Sequence, residues 1–357
     1  MLFISNDYKI PSSWLQLSLH AKTTALTANQ LIAIVSLFLS LGFILAFAGV
    51  EFVSSLREPS KDPNLIKLAS HKGPSFGWKV FCAISSVFTV LYAFYSGYQG
   101  SIRFSQSSTW PDYLGLLCGL GSVAVAQVAL VVYQFFRREW NNNDSVRVQL
   151  QEWRYPKTFI ADVIHHLSNP GAFILMLPYL CFTWMFRLMP DSYYNYDIPV
   201  NWGTVFMQLL VVDFFTFIFH VAEHAFPIVY QLGHKPHHRY VNPQLFNAFD
   251  GSLTDTVLLI LFPLYATANV IHANNWDYIA FGTVYSTHFM LIHSEYDHLF
   301  DPLLKFLFVN VCEDHHVHHA TFNSNFSHFF TIFDRIAGTY RDGSTCKGFR
   351  SMSVKVE

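Results

Sequence analysis

Residues 203–224 read GTVFMQLLVVDFFTFIFHVAEH. From Gly203 to Phe219 one ionisable residue, Asp213, interrupts an otherwise apolar run, and a membrane helix needs roughly 20 mostly apolar residues. The run ends on His220 and His224, whose spacing of four sets both imidazoles on one helical face. Asp213 precedes His220 by seven residues, on the same face and about 10 Å deeper by helical rise. An ionisable group at that depth is a functional candidate. Asp213 is therefore the catalytic candidate, in a role that supports the histidines rather than one that ligates a metal.

Working outward, runs of similar character occupy 30–53, 78–98, 113–136, 171–189, 203–222, 253–271 and 276–293. The first lies behind two polar segments, unlike the short apolar core of a cleavable signal peptide, and is expected to stay in the mature protein. Cytoplasmic loops are enriched in Lys and Arg. Arg57, Lys61, Lys67 and Lys72 follow the first span, and Arg137, Arg138, Arg147, Arg154 and Lys157 follow the third, whereas 193–201 and 273–276 carry no Lys or Arg. This orientation puts the ends of spans five and seven, and the C-terminal segment, in the cytosol. Every dense histidine cluster then falls on that one side.

Composition agrees with lipid as the solvent. Of 357 residues, 52% are hydrophobic, 17% aromatic and 13% charged, against about 25% charged in soluble domains. The formal net charge of -2 gives no basic footprint for nucleic acid. Five scattered cysteines form no CxxC pair, so neither a disulfide framework nor a thiolate zinc site is suggested.

Eighteen histidines remain, most of them after residue 219. Three clusters stand out: His220-Val-Ala-Glu-His224, His234-Lys-Pro-His237-His238 and His315-His316-Val-His318-His319. The last two repeat one order, a histidine, two residues, then two adjacent histidines. Neutral imidazole is the commonest metal ligand, and a single metal rarely takes more than about four to six ligands. Arrays of this size point to two metals. Imidazole suits iron, copper and zinc alike, so spacing leaves the metal open.

As an ordered set, HVAEH, HKPHH and HHVHH resemble the three histidine boxes of the fatty acid hydroxylase and sterol desaturase superfamily. The ending DHHVHHATFNSNFSHFFTIFDRIAGTYR, Asp314 to Arg341, resembles that of sterol 5-desaturases, cholesterol 25-hydroxylases and sterol 4-methyl oxidases. Asn325-Phe326-Ser327, Phe333-Asp334 and Gly338-Thr339 carry this likeness, which covers roughly 160 to 342. His293-Ser294-Glu295-Tyr296 resembles the His-Ser-Gly-Tyr element of sterol-directed members, which makes His293 a ligand candidate, and His288 matches a further ligand of the fatty acid hydroxylases. Departures are Val221 where members often carry Arg, Gly251-Ser252 where a His-Pro pair is usual, and His316 in place of Asp. His165, His166, His272, His298 and His328 match no box and read as loop or interface residues.

The resemblance implies an all-α integral membrane protein, with a four-helix transmembrane core made of spans four to seven under a cytosolic di-metal cap formed by 223–252 and 294–345. About three N-terminal transmembrane helices are extra. The expected divisions are 1–158 for the N-terminal membrane region, 159–345 for the catalytic domain and 346–357 for a short tail. The implied ligands are His220, His224, His234, His237, His238, His288, His293, His315, His318 and His319, holding two non-haem iron ions. With dioxygen, such a centre hydroxylates or desaturates a lipid in the endoplasmic reticulum membrane. The ending favours a sterol or related isoprenoid over a fatty acyl or sphingolipid chain. Because the sequence carries neither the His-Pro-Gly-Gly haem motif nor a GxGxxG loop, electrons are expected from separate cytochrome b5 and its reductase. The rival readings are a histidine-rich metal transporter, which needs polar groups along several spans, and a non-catalytic lipid-binding scaffold.

Overall fold

The computed structural model describes residues 75–88, 113–140, 147–149, 158–169, 176–185, 187–346 and 349. Among these residues the chain is helical, with isolated bridges and no strand ladder. The helices are α1 (Phe76–Phe88), α2 (Tyr113–Phe135), α3 (Phe159–Ser168), α4 (Met176–Met185), α5 (Trp202–Ala225), α6 (Leu253–Val270), α7 (Asn275–Leu291), α8 (Asp301–Phe306), α9 (Cys312–Thr321) and α10 (Ile332–Ala337). Among the described residues three helices are long and apolar enough to cross a membrane, at Leu114–Glu139, Trp202–Ala225 and Leu253–Val270. Spans three, five, six and seven of the sequence fall on α2, α5, α6 and α7. The described helical part of span four is α4. Span one lies outside the described residues, as does span two beyond Phe88.

Local chemistry fixes the helix ends that matter for the site. The Asn201 side chain accepts the amides of Gly203 and Thr204 at the start of α5, satisfying donors that a helix start otherwise leaves orphaned. Pro227 follows the last turn of α5 closely, so the chain leaves the helix just beyond His224. Ser252 caps α6 through the amide of Asp255. A π turn at Val257–Leu261 precedes Pro263, whose ring removes a donor and crowds the carbonyl four residues back. Asn274 and Asp277 form a reciprocal capping box at the start of α7.

α6 and α7 both pack on α5, and α2 packs along α7 and against α4. Gly115 of α2 makes the last contact possible, because a Cβ there would stand 2.4 Å from the Trp184 ring of α4. Polar groups at helical spacing on α2 bind the opposite wall. Gln127 donates to Met290 Sδ and accepts from His166, Gln134 donates to Glu295, and Tyr133 pairs with His298 at 2.6 Å. The third span, which carries no readable motif, is thus joined to the helix that delivers His293.

Candidate metal centre

The histidine ends of α5 and α7, the loop 226–252 and α9 converge on two groups of ring nitrogens. His220, His224, His234, His238 and His318 form one, and His237, His293, His315 and His319 form the other, with the candidate ligand atoms of each group within 4.8 Å of one another. The boxes interleave rather than mapping one to one. His237 and His238 part company, as do His318 and His319, because successive residues on a helical turn point about 100° apart.

Hydrogen bonds fix where the protons are. His220 donates Nδ1–H to the Phe326 carbonyl at 2.6 Å, His318 to Ser324 at 2.8 Å and His293 to Phe289 at 2.7 Å. His234 Nδ1 lies 2.8 Å from an Asp255 oxygen. A carbonyl or carboxylate only accepts, so each neutral ring is left with a bare Nε2. Of these, His220 and His234 turn bare Nε2 atoms on each other at 2.9 Å; the bare Nε2 of His318 faces that nitrogen of His238 at 3.0 Å in the same group, and the bare Nε2 of His293 faces those nitrogens of His315 at 2.9 Å and His237 at 3.3 Å in the second.

Lone pairs pointed at each other repel unless a cation lies between them. Nitrogens bound to one ion at about 2.1 Å along perpendicular directions stand about 3.0 Å apart. The donor set therefore fits two metal ions. Burial, followed by the neighbouring rings, holds His238, His315, His318 and His319 well below the ordinary histidine value. Burial likewise brings His237 down to about 4. Neutral rings are the ligand form.

The other expected site residues sit differently. His288 belongs to neither group; its ring packs 4.4 Å from that of Phe329 and its Nε2 is buried without a hydrogen-bond partner. Asp213 also lies apart. One oxygen accepts the amides of His328 and Phe329 and the other that of Phe330, at 2.7–2.9 Å. Asp334 takes the preceding amides, of Phe326 and Ser327, at 2.8 and 2.7 Å. Two carboxylates thus hold five consecutive amides, and with them the carbonyl that aims His220. His316 turns away, toward the Ser294 carbonyl and Gln149.

His328, read from sequence as a loop residue, is buried beside both groups, with its ring 5.0 Å from that of His220 and 5.4 Å from that of His315. No spacing pattern marks it. The amides fastened by Asp213 and Asp334 bring it there. Glu223 and Asp255, buried around His234, also went unmarked by sequence; Ser252-x-x-Asp255 reads as a helix start, which it also is.

Apolar helices of membrane-crossing length, with nine imidazoles gathered beside them, define a polyhistidine membrane protein. The description "Fatty acid hydroxylase" belongs to the family model that matches residues 205–339. An "Alternative squalene epoxidase" of Phaeodactylum tricornutum is 41% identical over 241 residues, covering 67% of this chain and 69% of the relative. A "Probable Delta(7)-sterol 5(6)-desaturase" of Neurospora crassa is 26% identical over 53% of this chain and 55% of its own length. A "Delta(7)-sterol 5(6)-desaturase" of Leptosphaeria maculans is 30% identical over 43% and 39%. No solved structure gives a significant match. The chain belongs to the fatty acid hydroxylase and sterol desaturase superfamily, and within it is a lipid oxidoreductase.

Proposed function

We propose that this protein oxidises an isoprenoid lipid, a sterol or its squalene-type precursor, with dioxygen at two iron ions held by the two nitrogen groups. The facing of bare Nε2 atoms, His220 against His234 at 2.9 Å above all, is the observation that carries this reading. His220, His224, His234, His238 and His318 would hold one ion, and His237, His293, His315 and His319 the other. His288 and His328 stand beside the pair, and Asp213 acts as a positioning residue. Iron supplies, when bound, the redox chemistry that turns dioxygen on an unactivated C–H or C=C bond.

The chain's own residues select and seat the lipid. An apolar chamber, partly open to the surroundings, lies between α2, α4, α6 and α7 and is lined by Leu264, Tyr278, Phe281 and Tyr285 among others. It adjoins a small hollow against His234, His237 and His328, and Phe249, Ile260 and Phe289 line both. A hydrocarbon lying there brings its reacting carbon to the histidines while aromatic walls exclude water. Such a lining suits a lipid without a charged head. Relatives named for squalene epoxidation and sterol desaturation support the same class.

In an oxygen insertion one atom of dioxygen enters the lipid and the other leaves as water, which consumes two electrons and two protons. Separate cytochrome b5 and its reductase would deliver the electrons from the cytosol. The accompanying architecture is a multi-pass protein of the endoplasmic reticulum with the histidine ends cytosolic. It has a catalytic domain over 159–345 around α4 to α7, an N-terminal membrane region over 1–158 and a short tail over 346–357. The test is the squalene and sterol profile of membranes with and without the full chain, supplied with cytochrome b5, its reductase and NADH. A new epoxide, alcohol or alkene in the isoprenoid fraction is expected. An unchanged profile, together with no iron after anaerobic purification, sinks the reading.

A further inference from the structure

α5 serves as a depth gauge for the segment after α7. Counting back from His220, Asp213 lies about 10 Å along the helix, and its oxygens hold the amides of His328, Phe329 and Phe330. The Phe330 ring reaches further, to 5.9 Å from that of Phe206, two turns beyond Asp213. Phe333 packs on Phe214 and Phe217. α7 gives a similar depth: His288, against Phe329, lies five residues short of His293, about 8 Å along the helix. The backbone around 328–330 thus runs beside the apolar middle of a membrane-crossing helix, well inside its histidine end.

Irregular backbone survives at membrane depth only where protein satisfies its polar groups. Here it is satisfied. Besides the five amides on Asp213 and Asp334, Asn310 donates to the Phe329 carbonyl and Thr331 to that of Phe308, both at 2.8 Å. The outward face of the same segment is apolar and uncovered: Leu303, Phe306, Leu307, Phe308 and Ile336 are 49–78% exposed. The contact of Phe206 with Phe330 joins this patch to the exposed apolar side of α5 at Phe206 and Met207. Its two cations are compensated within the protein. Lys305 is paired with Glu313, and Arg335 lies over the Phe308 and Tyr340 rings and donates to Thr331, so neither charge is left bare.

We infer that residues 303–310 and 326–337, on either side of α9, are seated in the lipid leaflet at the histidine end of α5, with Leu303, Phe306, Leu307, Phe308 and Ile336 among its acyl chains. Part of the region expected as a cytosolic cap is then a half-inserted membrane element, of the kind that buries an apolar face about 5–10 Å into a bilayer. This inference does not depend on the metal, the substrate or the reaction.

The test uses the full chain in phosphatidylcholine vesicles, with a fluorophore on Phe306→Cys and, separately, on Leu303→Cys. Ser344→Cys, exposed in the C-terminal segment and outside the membrane-crossing helices, is the water reference, and the signal of the parent chain is subtracted. Lipids brominated along the acyl chain should quench both patch positions several-fold more than the reference, and a membrane-impermeant maleimide should label the reference alone. Labelling of Phe306→Cys and Leu303→Cys at the reference rate overturns the inference by placing the patch in water. Neither quenching nor labelling overturns it too, because a second copy or a protein partner then covers the patch.

Discussion

His220 donates its Nδ1–H to the carbonyl oxygen of Phe326 at 2.6 Å, so the backbone beyond the third histidine box sets the aim of the first. That backbone hangs from Asp213 and Asp334. Asp213→Ala orphans three buried amides, each costing about 1–3 kcal/mol. Expected is a marked loss of thermal stability in detergent, measured by the temperature of aggregation, with metal content falling alongside. Normal stability with only turnover lost would show that Asp213 acts at the chemistry instead.

His318→Ala removes a nitrogen from the first group, whereas His316→Ala removes a ring that faces the Ser294 carbonyl and Gln149. Elemental analysis of purified protein should find iron reduced in the first variant and retained in the second. Equal loss in both would contradict the assignment of ligands.

Asp255 orients His234 through Nδ1 at 2.8 Å. Asp255→Asn keeps the shape but weakens the acceptor that fixes the ring, and the loss of such an outer partner typically lowers metal affinity about 10–100-fold. Competition with a chelator of known affinity measures this. An unchanged affinity would mean that the ring is held by packing alone.

Gly282 lines the apolar chamber, and a Cβ there would meet nothing within 4 Å. Gly282→Leu should therefore fold normally while taking room from the lipid. Its kcat/KM for a bulky isoprenoid is expected to fall about tenfold or more, with a shorter isoprenoid spared. Indifference to substrate size would place the lipid elsewhere.

Gly115→Leu drives a side chain into the Trp184 ring, which a Cβ alone would approach to 2.4 Å. Overpacking of this kind costs about 1–3 kcal/mol, and α2 should separate from α4. Limited proteolysis near residue 140 should quicken. A variant as resistant as the parent would mean that the α2–α4 contact contributes little.

The helices were legible where one physical rule acts alone. An apolar run of bilayer length marks α5 and α6 because lipid leaves the backbone few alternatives, and HxxxH marks a helical face because the period is fixed. How the boxes divide was not legible. Spacing says which way His237 and His238 point from their own turn, but which distant ring each meets depends on how loop 226–252 and α9 dock. His328 escaped for the same reason, being carried to the site by carboxylates 115 and 6 residues away in sequence. On α2, nothing in the sequence marked Gln127, Tyr133 and Gln134, because their partners lie on elements far along the chain.

The facing nitrogens of His220 and His234 also bear on how the protein is made. Repulsion between them is relieved only when a cation arrives, so binding favours the finished fold over any looser one by mass action. Iron supply would then govern how many copies outlast quality control, and not merely what fraction of them turns over. A pulse-chase in iron-starved cells, read as the half-life of newly made chains, tests this: starvation should shorten it, and His318→Ala should be short-lived whether iron is scarce or plentiful.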